Sequence, residues 1–398
     1  MSKIVIEHLT KIFGPHPEKA MKMLEQGFSK DEIMEKTKHG VGVADVSFEV
    51  EEGEILVVMG LSGSGKSTLI RHINRLIEPT AGKVFVDGIE ITALDHAELL
   101  DTRRKKFGMV FQNFGLFPHR TVLKNTEYGL EVQGIDPAIR TERAYQSLKL
   151  VGLEGWEDTK PSQLSGGMQQ RVGLARALTV DPDILLMDEA FSALDPLIRR
   201  DMQHELIALQ DRVKKTIVFI THDLDEALKI GDRIVLMKDG RIIQVGTGED
   251  ILTNPATKYV ERFVEDVDVS KVLTARTIMR AARVVAFPGD GPRQALHKMK
   301  EEAVSSICVV KRDYTLVGQV RADSANEAIK RGEKRIEGII EQDMVTVNAE
   351  DTLNTLFPIL AETDLPIPVV DDNNRLMGIV GKSSLLSALA EGVSNGNA

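Results

Sequence analysis

The stretch ILVVMGLSGSGKSTLIRHINRLI, residues 55–77, decides the fold. It opens with an apolar run of strand length, turns through Gly60, Gly63 and Gly65, and continues as a helical pattern. Strand, G-x-x-x-x-G-K-[ST] loop and helix in that order make a phosphate-binding loop. The glycines let the backbone turn sharply and aim its N–H groups at phosphate oxygens. The helix that follows points its positive end at the same charge. Lys66 suits neutralisation of the β- and γ-phosphates, and the Ser67 hydroxyl suits Mg2+. Ser62, Ser64 and Thr68 complete the loop. Together these residues call for ATP as ligand and Mg2+ as cofactor.

Outward from this loop, DILLMDEA (183–190) and TIVFITHD (216–223) are further buried strands ending in polar loops. Alternating strands and helices over residues 1 to about 240 imply an α/β fold with a largely parallel sheet. In such sheets the chemistry sits at the carboxyl ends of the strands. Asp188 closes one strand as a candidate Mg2+ ligand, and Glu189 beside it can position an attacking water. Two carboxylates there also fit a solvated turn. Residues 15–40 interrupt the early strands. There Ala20, Met23 and Leu24 share one helical face, and Ser29 with Glu32 forms a capping box for a second short helix. This reads as a helical insertion on the surface.

The segment LSGGMQQRVGLARAL (164–178) places Ser165, Gly166 and Gly167 at a helix start, a second anion-binding end. LSGGMQQR resembles the signature of ATP-binding cassette (ABC) proteins. The family's other motifs follow in order. Gln112 in VFQNFGLFPH is similar to its glutamine loop, SALD (192–195) with Asp195 to its D-loop, and His222 in ITHD to its switch histidine. Phe13 in KIFG stands where the family stacks an aromatic on adenine. The resemblance implies a phosphate-loop cassette with a helical subdomain, catalysis through Glu189, His222 and Gln112, and Mg2+ held by Ser67, Gln112 and Asp188. It also implies that Ser165, Gly166, Gly167, Gln169 and Asp195 act in trans on a second subunit's ATP. With one phosphate loop and one signature, the chain needs a second copy of itself. Phe114, Leu116 and Phe117 lie where the family receives a membrane subunit, or are core.

Beyond VERFVEDVD (260–268), read as part of a linker at 261–275, an internal repeat appears. ICVV (307–310), LVGQV (316–320) and QAL (294–296) match IPVV, LMGIV and NTL at an offset of 60 residues. Two β-α-β modules are expected, at 276–335 and 336–392. They resemble a tandem of cystathionine-β-synthase-type (CBS) domains. Arg321 with Ser324, and Gly381 with Ser384, stand where nucleotide-binding CBS domains carry a Thr or Ser and an Asp. The ribose-binding carboxylate is missing from both. A different ligand such as a cyclic dinucleotide, or ionic-strength sensing at an anionic lipid surface, remains. For the second, Lys330, Arg331, Lys334 and Arg335 fall at helical spacing and can share one face. They also fit an ordinary solvated face, or an internal partner for the acidic second module.

The insertion and the C-terminal pair together resemble the ATPase subunit of bacterial glycine betaine/proline importers. The resemblance implies a membrane permease partner, possibly fused to a substrate-binding domain, and a peripheral place on the cytoplasmic face of the membrane. The same ATPase serving another small amine or amino acid, or a soluble cassette ATPase, are the alternatives. A charged fraction of 28% and a hydrophobic fraction of 42% exclude a disordered or fibrous chain. Net charge −10 opposes a nucleic-acid polymer as partner. One cysteine excludes an internal disulfide framework.

Overall fold

A computed structural model describes residues 2–265, 270, 272–302, 304–363 and 365–387. The chain divides into two units, Met1–Val260 and Glu261–Ala398. In the first, a six-stranded sheet runs in the order Arg241–Gly246, Arg233–Lys238, Ile55–Met59, Thr216–Thr221, Ile184–Asp188, Phe107–Val110. All its pairings are parallel except that of the first two strands. Ile55–Met59, Ile184–Asp188 and Thr216–Thr221 are buried at every position. This is why they read as unbroken apolar runs rather than alternating ones.

A second sheet, antiparallel, has the order Gly40–Glu51, Ser2–Phe13, Ala81–Val86, Ile89–Glu90. Its inner residues Ile4, Ile6, Val43, Val46 and Val84 join Leu56, Val58, Leu69 and Ile70 in the main core. The helical insertion connects the paired ends Phe13 and Gly40. Its helices are Glu18–Glu25 and Lys30–Thr37, with the Ser29–Glu32 capping box formed. Ala20, Met23, Leu24 and Ile33 bury against Ile12, Val41 and Ala44. The insertion therefore has its own small core. A helical subdomain follows, with Val122–Thr126, Tyr128–Val132, Pro137–Leu150 and Gly166–Thr179 as its helices.

The second unit holds two three-stranded sheets of the same design. Val285–Ala286 runs parallel to Ser306–Val310, which pairs antiparallel with Leu316–Arg321. Val347–Asn348, Ile367–Val370 and Leu376–Val380 repeat the pattern. The hairpins correspond at the expected offset, since Val309 faces Gly318 as Val369 faces Gly378. The helices do not. Pro292, Ala295 and Met299 are the buried residues of one, Leu353, Leu356 and Leu360 those of the other. Ala295 thus corresponds to Leu356, one residue out of step with the matched triplets.

The cores also cross the expected module boundaries. Leu273, Ala275 and Ile278 pack with Val347, Leu353 and Leu356, in the second module's core. Ala275 N and Arg276 N donate to Asp351 O and Ala349 O. Conversely Ile336 packs with Ala286, Ala295 and Val309 in the first. A third cluster, Cys308, Val310, Leu316, Val370 and Leu376, joins the modules. Burial pushes the Cys308 thiol up to about 11. Part of the expected linker, 266–269 and 271, lies outside the described residues, as does the expected end at 388–392. The basic cluster is corrected too. The helix Ala322–Lys330 stops at Gly332, whose φ is +74°. Lys334 and Arg335 follow the break, so the four residues share no helical face. They are nevertheless all exposed.

Candidate active site

The parallel sheet brings the carboxyl ends of its strands to one edge, and the candidate catalytic side chains come with them. Glu189 follows the strand Ile184–Asp188 with φ +47°, a left-handed turn that few side chains adopt. Its Oε2 accepts from Gln112 Nε2 at 3.1 Å and lies 3.5 Å from His222 Nδ1. Its Oε1 lies 3.9 Å from Lys66 Nζ. Gln112 Nε2 also donates to Ser192 Oγ at 3.3 Å. Three strand ends and the phosphate loop thus meet at one carboxylate. Asp188 is 4% exposed, accepts from Ser67 Oγ at 2.8 Å, and pairs with Arg71 Nη2 at 3.2 Å.

The phosphate loop has the shape an anion requires. Lys66 is 4% exposed and donates to Gly60 O and Leu61 O. Burial holds its ammonium below the usual lysine range, against the pull of Glu189 and Asp188. A buried cation in this setting favours a further anion. Ser64 Oγ is buried without a hydrogen-bond partner. The helix Lys66–Ile73 leaves its first N–H groups open toward the loop. Gly60 and Gly65 leave no room for a side chain, since a Cβ would meet Met237 O or Gly42 O at 2.2 Å. Triphosphate oxygens suit these donors. An Mg2+ ion suits the Ser67 hydroxyl and Asp188 carboxylate, which are already adjacent, while the Gln112 amide nitrogen is engaged by Glu189 and Ser192. Gly42 also brings Phe13 to the loop, as a Cβ there would meet Phe13 Cε2 at 2.7 Å and Thr68 Cγ2 at 3.1 Å. Phe13 is 43% exposed, leaving a ring free to stack. Ser62 is exposed on the loop.

The signature residues stand apart. Ser165 caps the helix Gly166–Thr179 and accepts from Met168 N, while Gln169 Nε2 donates to Leu164 O. Gly167 packs so tightly that a Cβ would meet Ile198 Cγ2 at 2.5 Å. Asp195 caps Pro196–Val213 through Ile198 N. Among the described residues, no hydrogen bond or ion pair joins the signature to the phosphate loop. Arg176, on the same helix, donates to Phe114 O and Gly115 O. It ties the signature helix to the segment after Gln112. Asn125 holds the far end of that segment through Phe117 N and Phe117 O. Phe114, Leu116 and Phe117 are half-buried.

Comparison with known proteins fits this geometry. The ABC transporter profile matches residues 43–192 and the CBS domain profile residues 336–391. The glycine betaine transport ATP-binding protein OpuAA of Bacillus subtilis is 57% identical over 98% of this chain and 92% of its own length. The chain belongs to the ATP-binding subunits of glycine betaine ABC transport systems. Another member of this family, the glycine betaine/carnitine transport ATP-binding protein GbuA of Listeria monocytogenes, is 55% identical over the full length of both chains. ProV of Escherichia coli, from a glycine betaine/proline betaine transport system, is 50% identical over 99% of each. A solved ATP-binding cassette, a post-hydrolysis dimer bound to ADP and Pi, aligns with TM-score 0.53 and 34% identity. It covers 62% of this chain and 98% of its own. As a member of this family the chain is a nucleotide-binding cassette followed by a CBS region. No helix among its described residues is long and apolar enough to cross a membrane.

Arg71, Ser192, Arg176 and Gly42 were not singled out from sequence. Arg71 carried a signal, lying four residues after Ser67 on the same helix face. Gly42 carried none, because its partner Gly65 is brought to it only by the fold.

Proposed function

We propose that the chain hydrolyses ATP to drive import of glycine betaine-type quaternary amines through a membrane permease. The convergence of Lys66, Gln112, Asp188, Glu189 and His222 on one sheet edge carries the hydrolytic reading. The names of the full-length relatives carry the substrate. Residues 1–260 form the cassette and the module pair beyond it is regulatory. Mg2+, when bound by Ser67, Asp188 and Gln112, neutralises charge on the β- and γ-phosphate oxygens. Lys66 and the loop N–H groups hold the phosphates. Glu189 Oε2, already within reach of Gln112 and His222, accepts a hydrogen bond from the attacking water and orients it. His222 contacts the γ-phosphate.

Among the described residues, no ion pair or hydrogen bond brings a carboxylate to the helix end at Ser165, Gly166 and Gly167. That end is placed to cover the γ-phosphate on a second copy, with Asp195 and Gln169 beside it. ATP then joins two copies head to tail; that the solved cassette is a dimer bound to ADP and Pi supports the pairing of two copies. The half-buried Phe114, Leu116 and Phe117 face the permease, which keeps the chain peripheral at the cytoplasmic membrane face.

Regulation through the module pair is supported by a cavity of about 730 Å3 lined by Arg280, Arg283, Cys308, Gln319 and Ser384. Glu302 also lines it, 3.9 Å from Arg283, so Arg280 is the guanidinium left to favour an anionic ligand such as a cyclic dinucleotide. Exposed Lys330, Arg331, Lys334 and Arg335 support contact with anionic lipid.

Purification from native membranes in mild detergent tests the reading. An integral permease should accompany the chain, and glycine betaine should stimulate its ATP hydrolysis. Recovery with soluble partners alone would discard transport. Neutralising the four basic residues should leave activity high at low salt, and unchanged salt dependence would discard the lipid contact.

A further inference from the structure

The helical insertion reaches the phosphate loop. Lys30, the first residue of the helix Lys30–Thr37, sends its Nζ to 3.4 Å from Gly63 O. It arrives beside the turn at Asp239 and Gly240, which also bonds to the loop. A Cβ on Gly240 would meet Lys30 Cε at 3.0 Å and Nζ at 3.3 Å. Burial holds the Lys30 ammonium below the usual lysine range, against the opposing pull of Asp239 and Asp31. The side chain is therefore packed in place rather than loose in solvent.

The loop's carbonyls show what this contact does. Gly60 O and Leu61 O accept from Lys66 Nζ. Leu61 O accepts also from Ser64 N at 3.1 Å, and Ser64 O accepts from Gly240 N at 3.0 Å. Gly63 O accepts from Lys30. The peptide between Gly63 and Ser64 is thereby held at both ends, its N–H by Leu61 and its C=O by Lys30. A loop that binds phosphate through inward N–H groups needs its carbonyls fixed outward, because a peptide that flips presents oxygen to oxygen. Lys66 and the Gly240 turn belong to the cassette. Lys30 alone among these anchors comes from the insertion.

We propose that Lys30 is a positioning residue for ATP, through which the insertion holds the phosphate loop in its binding conformation. The proposal rests on the ATPase reading above. It acts on nucleotide affinity and leaves the chemical step to Glu189 and its partners.

The test uses the full chain, with MgATP titrated calorimetrically and hydrolysis followed in the assembled transporter. Lys30→Met keeps the stem and removes the charge. Its Kd and KM for ATP should rise about three- to tenfold, with kcat within twofold of wild type. Lys30→Arg should restore both constants. A purely structural lysine would instead lower the thermal midpoint and leave ATP affinity alone. Lys30→Met with unchanged affinity, or Lys30→Arg as defective as Lys30→Met, would overturn the proposal. Wild-type chain without affinity for ATP would overturn the ATPase reading itself.

Discussion

Alanine substitutions along the phosphate loop separate two reasons for its glycines. Gly63 has φ +80° and nothing within 4 Å of the place a Cβ would occupy. Gly65 has φ +101°, and a Cβ there would lie 2.2 Å from Gly42 O. The left-handed conformation costs an L-residue roughly 1–2 kcal/mol. If Gly63→Ala relaxes out of the cradle and must return on binding, ATP affinity falls about 5- to 30-fold. Gly65→Ala carries the same strain and a collision with backbone. Ordinary contact begins at 3.4 Å, so the loop and the strand carrying Gly42 must separate by roughly 1 Å. That strand also packs against Phe13 and Thr68. With this separation added to the strain, Gly65→Ala should bind ATP more weakly than Gly63→Ala. Calorimetric titration of ATP into each variant, with thermal unfolding to confirm the fold, gives the comparison. Gly65→Ala binding ATP as well as Gly63→Ala would refute the collision argument. Both variants within twofold of wild type would refute the loop's assignment as the ATP site.

Three further outcomes are expected. Glu189→Gln should cut steady-state hydrolysis by about 10²- to 10⁴-fold while ATP still binds, and a dimer should persist in ATP on size exclusion. Ile336→Ala should destabilise the first module by about 2–5 kcal/mol, read from denaturant unfolding of the full chain. Lys106→Met should lose stability in a pH-dependent way. Lys106 bonds to Asp183 at 2.6 Å and to Asp87 at 2.9 Å, and Lys3 reaches both. Burial pushes the two carboxyls up, but the lysine hydrogen bonds outweigh it and hold both below the usual range. The hydrogen bonds that Lys106 donates to Asp183 and Asp87 hold its ammonium above the usual lysine range. The carboxylate contribution is present above the unfolded value near 4 and fades as pH falls through the folded values. The lysine contribution is present below about 10.5 and fades as pH rises through its folded value. The stability gap between wild type and Lys106→Met should thus be flat near neutrality and narrow at both extremes. A gap independent of pH would refute the ion-pair account.

The readable features were those whose cause is local. The phosphate loop, the carboxylates at 188–189 and the Ser29 capping box each lie within a few residues, so spacing determines them. The ends of the strands carrying Asp188, Glu189 and His222 could be placed because parallel strands share one carboxyl edge. The basic cluster at 330–335 was misread although its sequence held the warning. Gly332 follows two cations at a helix end, which is how such helices stop. The repeat was misaligned in its helices because matched letters at 294–296 outweighed the burial rhythm, which only the packed core reveals. Lys30 on Gly63 O, and Gly42 against Gly65, had no sequence signal. Both are contacts between segments far apart in the chain, set by how the insertion and the antiparallel sheet fold back on the loop.

The exchange of core residues between the two C-terminal modules has a consequence for synthesis. The chain leaves the ribosome from its N-terminus, at roughly 5–20 residues per second. Leu273, Ala275 and Ile278 emerge well before the strands they pack against, which begin at Val347. The first module in turn waits for Ile336 before its core closes. Neither half can therefore finish while the other is still inside the ribosome. The cassette, complete by Val260, can fold ahead of them. A transcript cut between the repeats would yield a working-sized cassette trailing unsatisfied apolar surface, a natural target for proteolysis. Interleaving thus makes the pair all-or-none, and neither module can be inherited without the other.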